Sequence, residues 1–270
     1  MKIKILLLSF LIAGNSFAGT VDTVSIFSNS MHKKIKAVVI KPSTYETNKE
    51  HYSVVYLLHG FSGDFSNWIK QVPELKKYAD DFNILIVCPD GAYSSWYFDS
   101  PVDTSYRYET YIASEVISFI DKMYRTVADR QHRGITGLSM GGHGALFLAL
   151  RHPDTFGAAG SMSGAVDLEE CIGRFDVIYR IGDTLSHKKE WHDLSVLHIV
   201  EHATATPVKI MFDCGTQDIF IKGNRELHQK MLELNIPHDY IERAGMHNWD
   251  YWKNAVPYEL LFFKKYFSKN

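Results

Sequence analysis

The chain has 270 residues, a formal net charge of −2 and 46% hydrophobic residues. A near-neutral charge without a basic cluster leaves no electrostatic footprint for nucleic acid or an anionic membrane surface. Three cysteines are too few for a disulfide framework.

Met1-Lys2-Ile3-Lys4 is a short basic start, residues 5–13 are apolar but too few to span a bilayer, and Ser16-Phe17-Ala18 places small residues where a signal peptidase reads. This pattern predicts a secretory signal peptide cleaved after Ala18. The expected product is residues 19–270, exported to the periplasm or secreted, with no integral membrane segment. A chain of about 250 residues is long enough for one domain with a substantial core. No repeat, low-complexity stretch or linker divides it.

Residues 20–28 and 33–41 read as an antiparallel pair of strands. Short apolar strands are expected at 53–58, 83–88, 133–136, 158–162, 208–212 and 239–242. Helical stretches lie between them, notably 106–124, where Tyr111, Ile112, Val116, Phe119 and Ile120 keep a helical period. An amphipathic helix over 250–267 closes the chain. This alternation predicts an α/β fold with a mostly parallel central sheet and helices on both faces. Cys88 and Cys214 each end an apolar strand and are expected as buried thiols, able to meet only if those strands are neighbours; Cys171 is expected to be free.

Gly137-Leu138-Ser139-Met140-Gly141-Gly142 has the form of a nucleophile elbow between the strand at 133–136 and a helix that ends at His152-Pro153. A serine hydroxyl is a weak nucleophile until a neighbouring base takes its proton. Such a site places its acid and then its histidine after later strands. Asp218, in the polar stretch Asp213-Cys214-Gly215-Thr216-Gln217-Asp218, and His247, in Gly245-Met246-His247-Asn248-Trp249, stand in that order. Asp213 is the rival acid. Asp218 is preferred because it lies deeper in the loop, where its side chain can reach the histidine. The oxyanion donors are expected to be the backbone N–H groups of Met140 and Phe61, the latter in His59-Gly60-Phe61-Ser62-Gly63 after the strand at 53–58. With 13 histidines in the chain, a lone histidine means little. His143 is expected to pack or cap its helix. His187, His192, His198 and His202 lack the spacing of a metal site.

Tyr56-Leu57-Leu58-His59-Gly60, the elbow and Gly245-Met246-His247-Asn248-Trp249 together resemble the esterase family that includes esterase D. Its members include S-formylglutathione hydrolases, feruloyl and acetyl xylan esterases of carbohydrate esterase family 1, and the antigen 85 mycolyltransferases. The resemblance runs from about Val54 to the C-terminal helix. It implies an α/β-hydrolase fold, a Ser139–Asp218–His247 triad, oxyanion donors at Phe61 and Met140, and no metal or organic cofactor. The implied activity is hydrolysis of acetyl or feruloyl esters of a small molecule or polysaccharide. A thioesterase of the S-formylglutathione hydrolase type, acyl transfer and a non-enzymatic scaffold are the alternatives. His59, Trp68, Trp96 and Trp249 are the candidates for touching substrate, with His59 also suited to supporting its loop. The aromatic stretch Gly91-Ala92-Tyr93-Ser94-Ser95-Trp96-Tyr97-Phe98 is expected to border the site. Residues 165–206 are too long for a simple crossover and are expected to form a small cap.

Overall fold

The computed structural model describes residues 19–202 and 208–269; the expected leader, residues 1–18, lies outside them. Eight strands form one sheet in the order β1-β2-β4-β3-β5-β6-β7-β8. Their ranges are β1 (Thr20–Ser28), β2 (Lys33–Lys41), β3 (Val54–Leu58), β4 (Leu85–Pro89), β5 (Arg133–Gly137), β6 (Ala158–Met162), β7 (Lys209–Gly215) and β8 (His238–Arg243). β1 and β2 form a hairpin whose second strand runs antiparallel to β4, and all remaining pairs are parallel.

Period two divides the central strands between two cores. Val54, Tyr56 and Leu58 of β3 enter one, and Val55 and Leu57 enter the other. Helices α1 (Asn67–Gln71) and α2 (Leu75–Phe82) follow β3, and α2 fills the second core with Leu75 and Ala79. The helical stretch before β5 begins with α3 (Tyr108–Thr110), continues through a π-helical segment, Tyr111–Val116, and ends in α4 (Ile117–Met123). It packs in the first core with α5 (Met140–Arg151). The described residues between β6 and β7 include the short helices α6 (Ile178–Ile181), α7 (Lys188–Asp193) and α8 (Val196–Ile199). Helix α9 (Ile221–Glu233) joins β7 to β8, and α10 (Trp249–Phe267) covers the second face. The ring of Phe263 on α10 packs directly over Gly134 of β5, where a Cβ would lie 2.4 Å from it.

Most strand bounds differ from expectation by one or two residues, and two differences matter more. β7 extends to Gly215 because Asp213, Cys214 and Gly215 pair with Ile241, Glu242 and Arg243 of β8, so Asp213 is a strand residue rather than part of a polar turn. The 106–124 stretch carries the π-helical segment. Cys88 on β4 and Cys214 on β7 belong to strands that are not neighbours, and all three cysteines are buried free thiols. Among the described residues, no helix is long and apolar enough to cross a membrane.

Candidate active site

The parallel strands deliver their carboxyl ends to one edge of the sheet, where loops carrying polar residues meet. Ser139 follows β5, Asp218 follows β7, His247 follows β8 and Phe61 follows β3. Ser139 holds φ 55° and ψ −119°, a sparsely populated conformation for a residue with a Cβ. Its N–H donates to Met162 O at 3.0 Å, and α5 starts at the next residue. The elbow closes backbone on backbone. A Cβ on Gly137 would lie 2.6 Å from Gly141 O, and one on Gly141 would lie 2.5 Å from His59 O. No side chain fits at either point.

His247 lies between the other two predicted residues. Its Nε2 is 2.9 Å from Ser139 Oγ, and its Nδ1 is 2.9 and 3.0 Å from the two carboxylate oxygens of Asp218. The Asp218 carboxylate also accepts from Phe220 N–H at 2.9 Å; a carboxylate is an acceptor, so the arrangement assigns the hydrogen to Nδ1 and leaves Nε2 to accept from the serine. The Asp218 side chain is fully buried, while that of His247 is 17% exposed. Phe220 and Trp252 hold the imidazole edge-on, at ring distances of 5.0 and 4.9 Å. The loops are tied to each other by Gln217 N–H donating to Gly245 O at 2.9 Å and Thr216 N–H donating to Arg243 O at 2.8 Å.

Residues 28–263 match the family model described as "Putative esterase". The chain belongs to that family. The protein is 26% identical to an acetyl esterase of Caldicellulosiruptor saccharolyticus over 86% of this chain and 94% of the relative. It is 26% identical to the diacylglycerol acyltransferase/mycolyltransferase Ag85A of Mycobacterium tuberculosis over 86% of this chain and 77% of that protein. Among solved structures, a ferulic acid esterase matches at 31% identity with a TM-score of 0.81, covering 93% of this chain and 99% of the other. These neighbours have the α/β-hydrolase fold. This chain is a serine carboxylic ester hydrolase with that fold.

In this esterase the loop after β3 lies against the serine. A Cβ on Gly60 would be 3.4 Å from Ser139 Cβ. Among the described residues, neither the Phe61 nor the Met140 N–H has an acceptor. Met140 is the first residue of α5, where N–H groups have no partner within the helix. The loop is braced by Ser62 N–H, which donates to Tyr93 O at 2.7 Å.

Three of the four residues expected at the substrate are instead inside the protein. His59 is buried; its Nδ1–H donates to Gly60 O, and its Nε2 accepts from Gly91 N–H, both at 2.8 Å. Burial holds this imidazole below its ordinary pKa, consistent with a neutral ring that braces two loops. Trp68 is buried and donates from its indole to Leu58 O at 2.9 Å. Trp96 is buried and donates to Phe175 O at 3.1 Å. Position in a loop beside the site did not distinguish lining from support. Trp249 is half-buried and packs edge-on against Trp68 and Trp252 at 5.2 and 5.4 Å.

Asp213, the rival acid, points to other partners. It accepts from the Tyr251 hydroxyl at 2.8 Å and pairs with Arg243 at 3.0 Å. Burial raises its pKa to about 6 despite the pull of Arg243. Beneath it, Glu259 of α10 is fully buried against Gly160 and accepts from Thr136 Oγ1 at 3.0 Å. Burial keeps this carboxyl far above its ordinary range. His143 is also buried, donating from Nε2 to Leu194 O at 2.9 Å, and burial lowers its pKa to about 4.

Sequence reasoning missed the aromatic side chains around His247. Phe220 stands two residues after the acid and Trp252 five after the histidine, so proximity in the chain was the available signal. Phe175 lies in the 165–206 segment, where no motif marks it. Its ring contacts Phe61 at 5.5 Å and Phe220 at 6.0 Å, bringing this part of the segment to the edge of the site.

Proposed function

We propose that this esterase cleaves acyl esters through a Ser139–His247–Asp218 triad and an acyl-enzyme. The observation that carries the reading is the position of His247, within hydrogen-bond reach of Ser139 Oγ and the Asp218 carboxylate at once. Ser139 Oγ attacks the ester carbonyl while Nε2 of His247 takes its proton. Asp218 keeps Nδ1–H oriented and stabilises the imidazolium. The carbonyl oxygen becomes an oxyanion that receives the N–H groups of Phe61 and Met140. His247 then protonates the departing alkoxide. Water enters, gives its proton to His247 and attacks the acyl carbonyl, and Ser139 regains its hydrogen as the acid leaves.

The substrate class we favour is an acetyl or feruloyl ester, carried by a small molecule or carbohydrate. The names of the acetyl esterase and ferulic acid esterase relatives support this choice, as do the aromatic rings bordering the triad. Residues 1–18 act as an export signal, leaving residues 19–270 as the esterase unit outside the cytoplasm. Acyl transfer to an alcohol other than water is the second reading, favoured by the likeness to the mycobacterial acyltransferase. Hydrolysis of methyl ferulate and p-nitrophenyl acetate by residues 19–270, with Ser139→Ala as the blank, tests the proposal. Turnover of both, absent in the variant, supports a site with an aromatic acyl pocket. Turnover of the acetate alone assigns a small acyl site, and turnover by Ser139→Ala contradicts the nucleophile.

A further inference from the structure

A chain of rings leads away from the triad. His247 meets Phe220 at 5.0 Å, Phe220 meets Phe175 at 6.0 Å, Phe175 meets Phe61 at 5.5 Å, and Phe61 meets the exposed Tyr93 at 4.8 Å. The first and third phenylalanines sit on loops fixed by strands β7 and β3. Phe175 has no such anchor, because it lies between short helical pieces of the segment after β6. Its backbone is unusual: Phe175 and Asp176 both have left-handed φ values of 57° and 58°. On the loop facing it, Trp96 and Tyr97 have 58° and 61°. Consecutive left-handed residues with side chains persist only where their surroundings hold them.

One hydrogen bond joins these two strained turns, and two more join the residues that flank them. The Trp96 indole N–H donates to Phe175 O at 3.1 Å, Ser100 Oγ donates to Arg180 O at 2.6 Å, and Arg180 Nε donates to Ser94 O at 3.2 Å. Arg180 also pairs with Asp103 at 3.2 Å and lies over the Tyr106 ring at 3.6 Å. Trp96 is itself immobilised edge-on against the buried His143 at 5.7 Å. The indole is therefore a rigid donor, and the carbonyl it holds belongs to the residue that completes the ring wall.

We propose that Trp96 is a positioning residue for substrate selection: its N–H latches Phe175 into the wall and thereby sets the preference for esters with an aromatic acyl group. The inference rests on the esterase reading of Ser139. Trp96 touches neither the triad nor the ester; it acts through Phe175. Without the latch the Phe175 turn relaxes, the wall opens between Phe61 and Phe220, and an aromatic acyl group loses a face. A small acyl group does not reach the wall and is indifferent to it.

Trp96→Phe keeps an aromatic ring in the core and removes the N–H. Its kcat/KM on methyl acetate is expected to stay within about twofold of the parent, while that on methyl ferulate falls about tenfold, mainly through KM. Phe175→Leu should lose a similar factor on the ferulate, and the double variant should lose no more than either alone, because both remove one device. Equal losses on the two esters, or losses that multiply in the double variant, would overturn the proposal. Should Trp96→Phe not fold, Arg180→Met removes the contacts to Ser94 and Asp103 from the same latch. It is expected to shift selectivity in the same direction, and unchanged selectivity would overturn the proposal. Ser139→Ala measured alongside separates the two readings: residual turnover there sinks the assignment of Ser139 as nucleophile, whereas a silent Ser139→Ala with unaltered selectivity in the latch variants sinks only the latch.

Discussion

The hydroxyl of Tyr251 donates to Asp213 Oδ1 at 2.8 Å, tying the first turn of α10 to the end of β7. Tyr251 also packs against Gly245, where a Cβ would lie 2.6 Å from its ring, so the same side chain supports the loop that carries His247. One aspartate therefore braces the loop while the other, five residues on, meets the imidazole.

This division of labour separates two variants that look alike in sequence. Asp218→Asn is expected to lower kcat by about four orders of magnitude with little change in melting temperature, because the amide favours the wrong imidazole tautomer. Asp213→Asn is expected to retain kcat within about tenfold and to lower the melting temperature, because it removes the charge opposite Arg243. Steady-state kinetics and thermal melts of the two variants decide the matter. Similar kcat losses in both would contradict the assignment of roles.

Glu259 gives a prediction about pH. Its folded pKa is raised, so its contribution to stability is fully present below the unfolded value of about 4.3 and is lost as pH rises towards the folded value. Glu259→Gln keeps the acceptor for Thr136 and cannot ionise. Chemical denaturation should show the variant gaining on the parent as pH rises from about 4 to 8. A difference independent of pH would mean that Glu259 does not titrate between the two states.

His143 behaves in the opposite sense. Its folded pKa of about 4 lies below the ordinary value of 6.5, so the stability it contributes is present above pH 6.5 and is lost as pH falls towards 4. In a denaturation series the advantage of the parent over His143→Phe should shrink by roughly 3 kcal/mol across that window. A constant advantage would show that His143 titrates alike in the folded and unfolded chain.

Gly141→Ala probes the elbow itself. The added methyl would meet His59 O at 2.5 Å and Leu58 O at 2.6 Å, both of them backbone atoms. Relief requires moving the serine or the oxyanion loop. The variant should lose about 1–3 kcal/mol of stability and most of its activity. Wild-type kinetics in Gly141→Ala would mean that the turn is looser than this packing implies.

Much of this arrangement was legible because strand ends are marked chemically. The hairpin β1–β2 and strand β6 fall where apolar patterning puts them, and the serine, acid and histidine follow strands in the order of the fold. The end of β7 was hidden because Asp213, Cys214 and Gly215 are polar or small yet fully paired and buried. The π-helical segment was hidden because its extra residue per turn leaves the apolar face of residues 111–120 intact. Trp68 and Trp96 were misjudged because a large amphipathic ring serves equally as a lining or as a donor to a buried carbonyl. Phe175 had no signal, since its place in the wall depends on contacts with residues distant in the chain.

The central claim is that Ser139 Oγ accepts the acyl group. A fluorophosphonate reports this directly, because the activated serine displaces fluoride and retains phosphorus, and intact-mass and peptide mapping locate the adduct. The account predicts one adduct per chain, on Ser139, absent from Ser139→Ala and strongly slowed in Asp218→Asn. Labelling at another residue, or an unlabelled Ser139 in enzyme that has lost its ester turnover to the reagent, would contradict it.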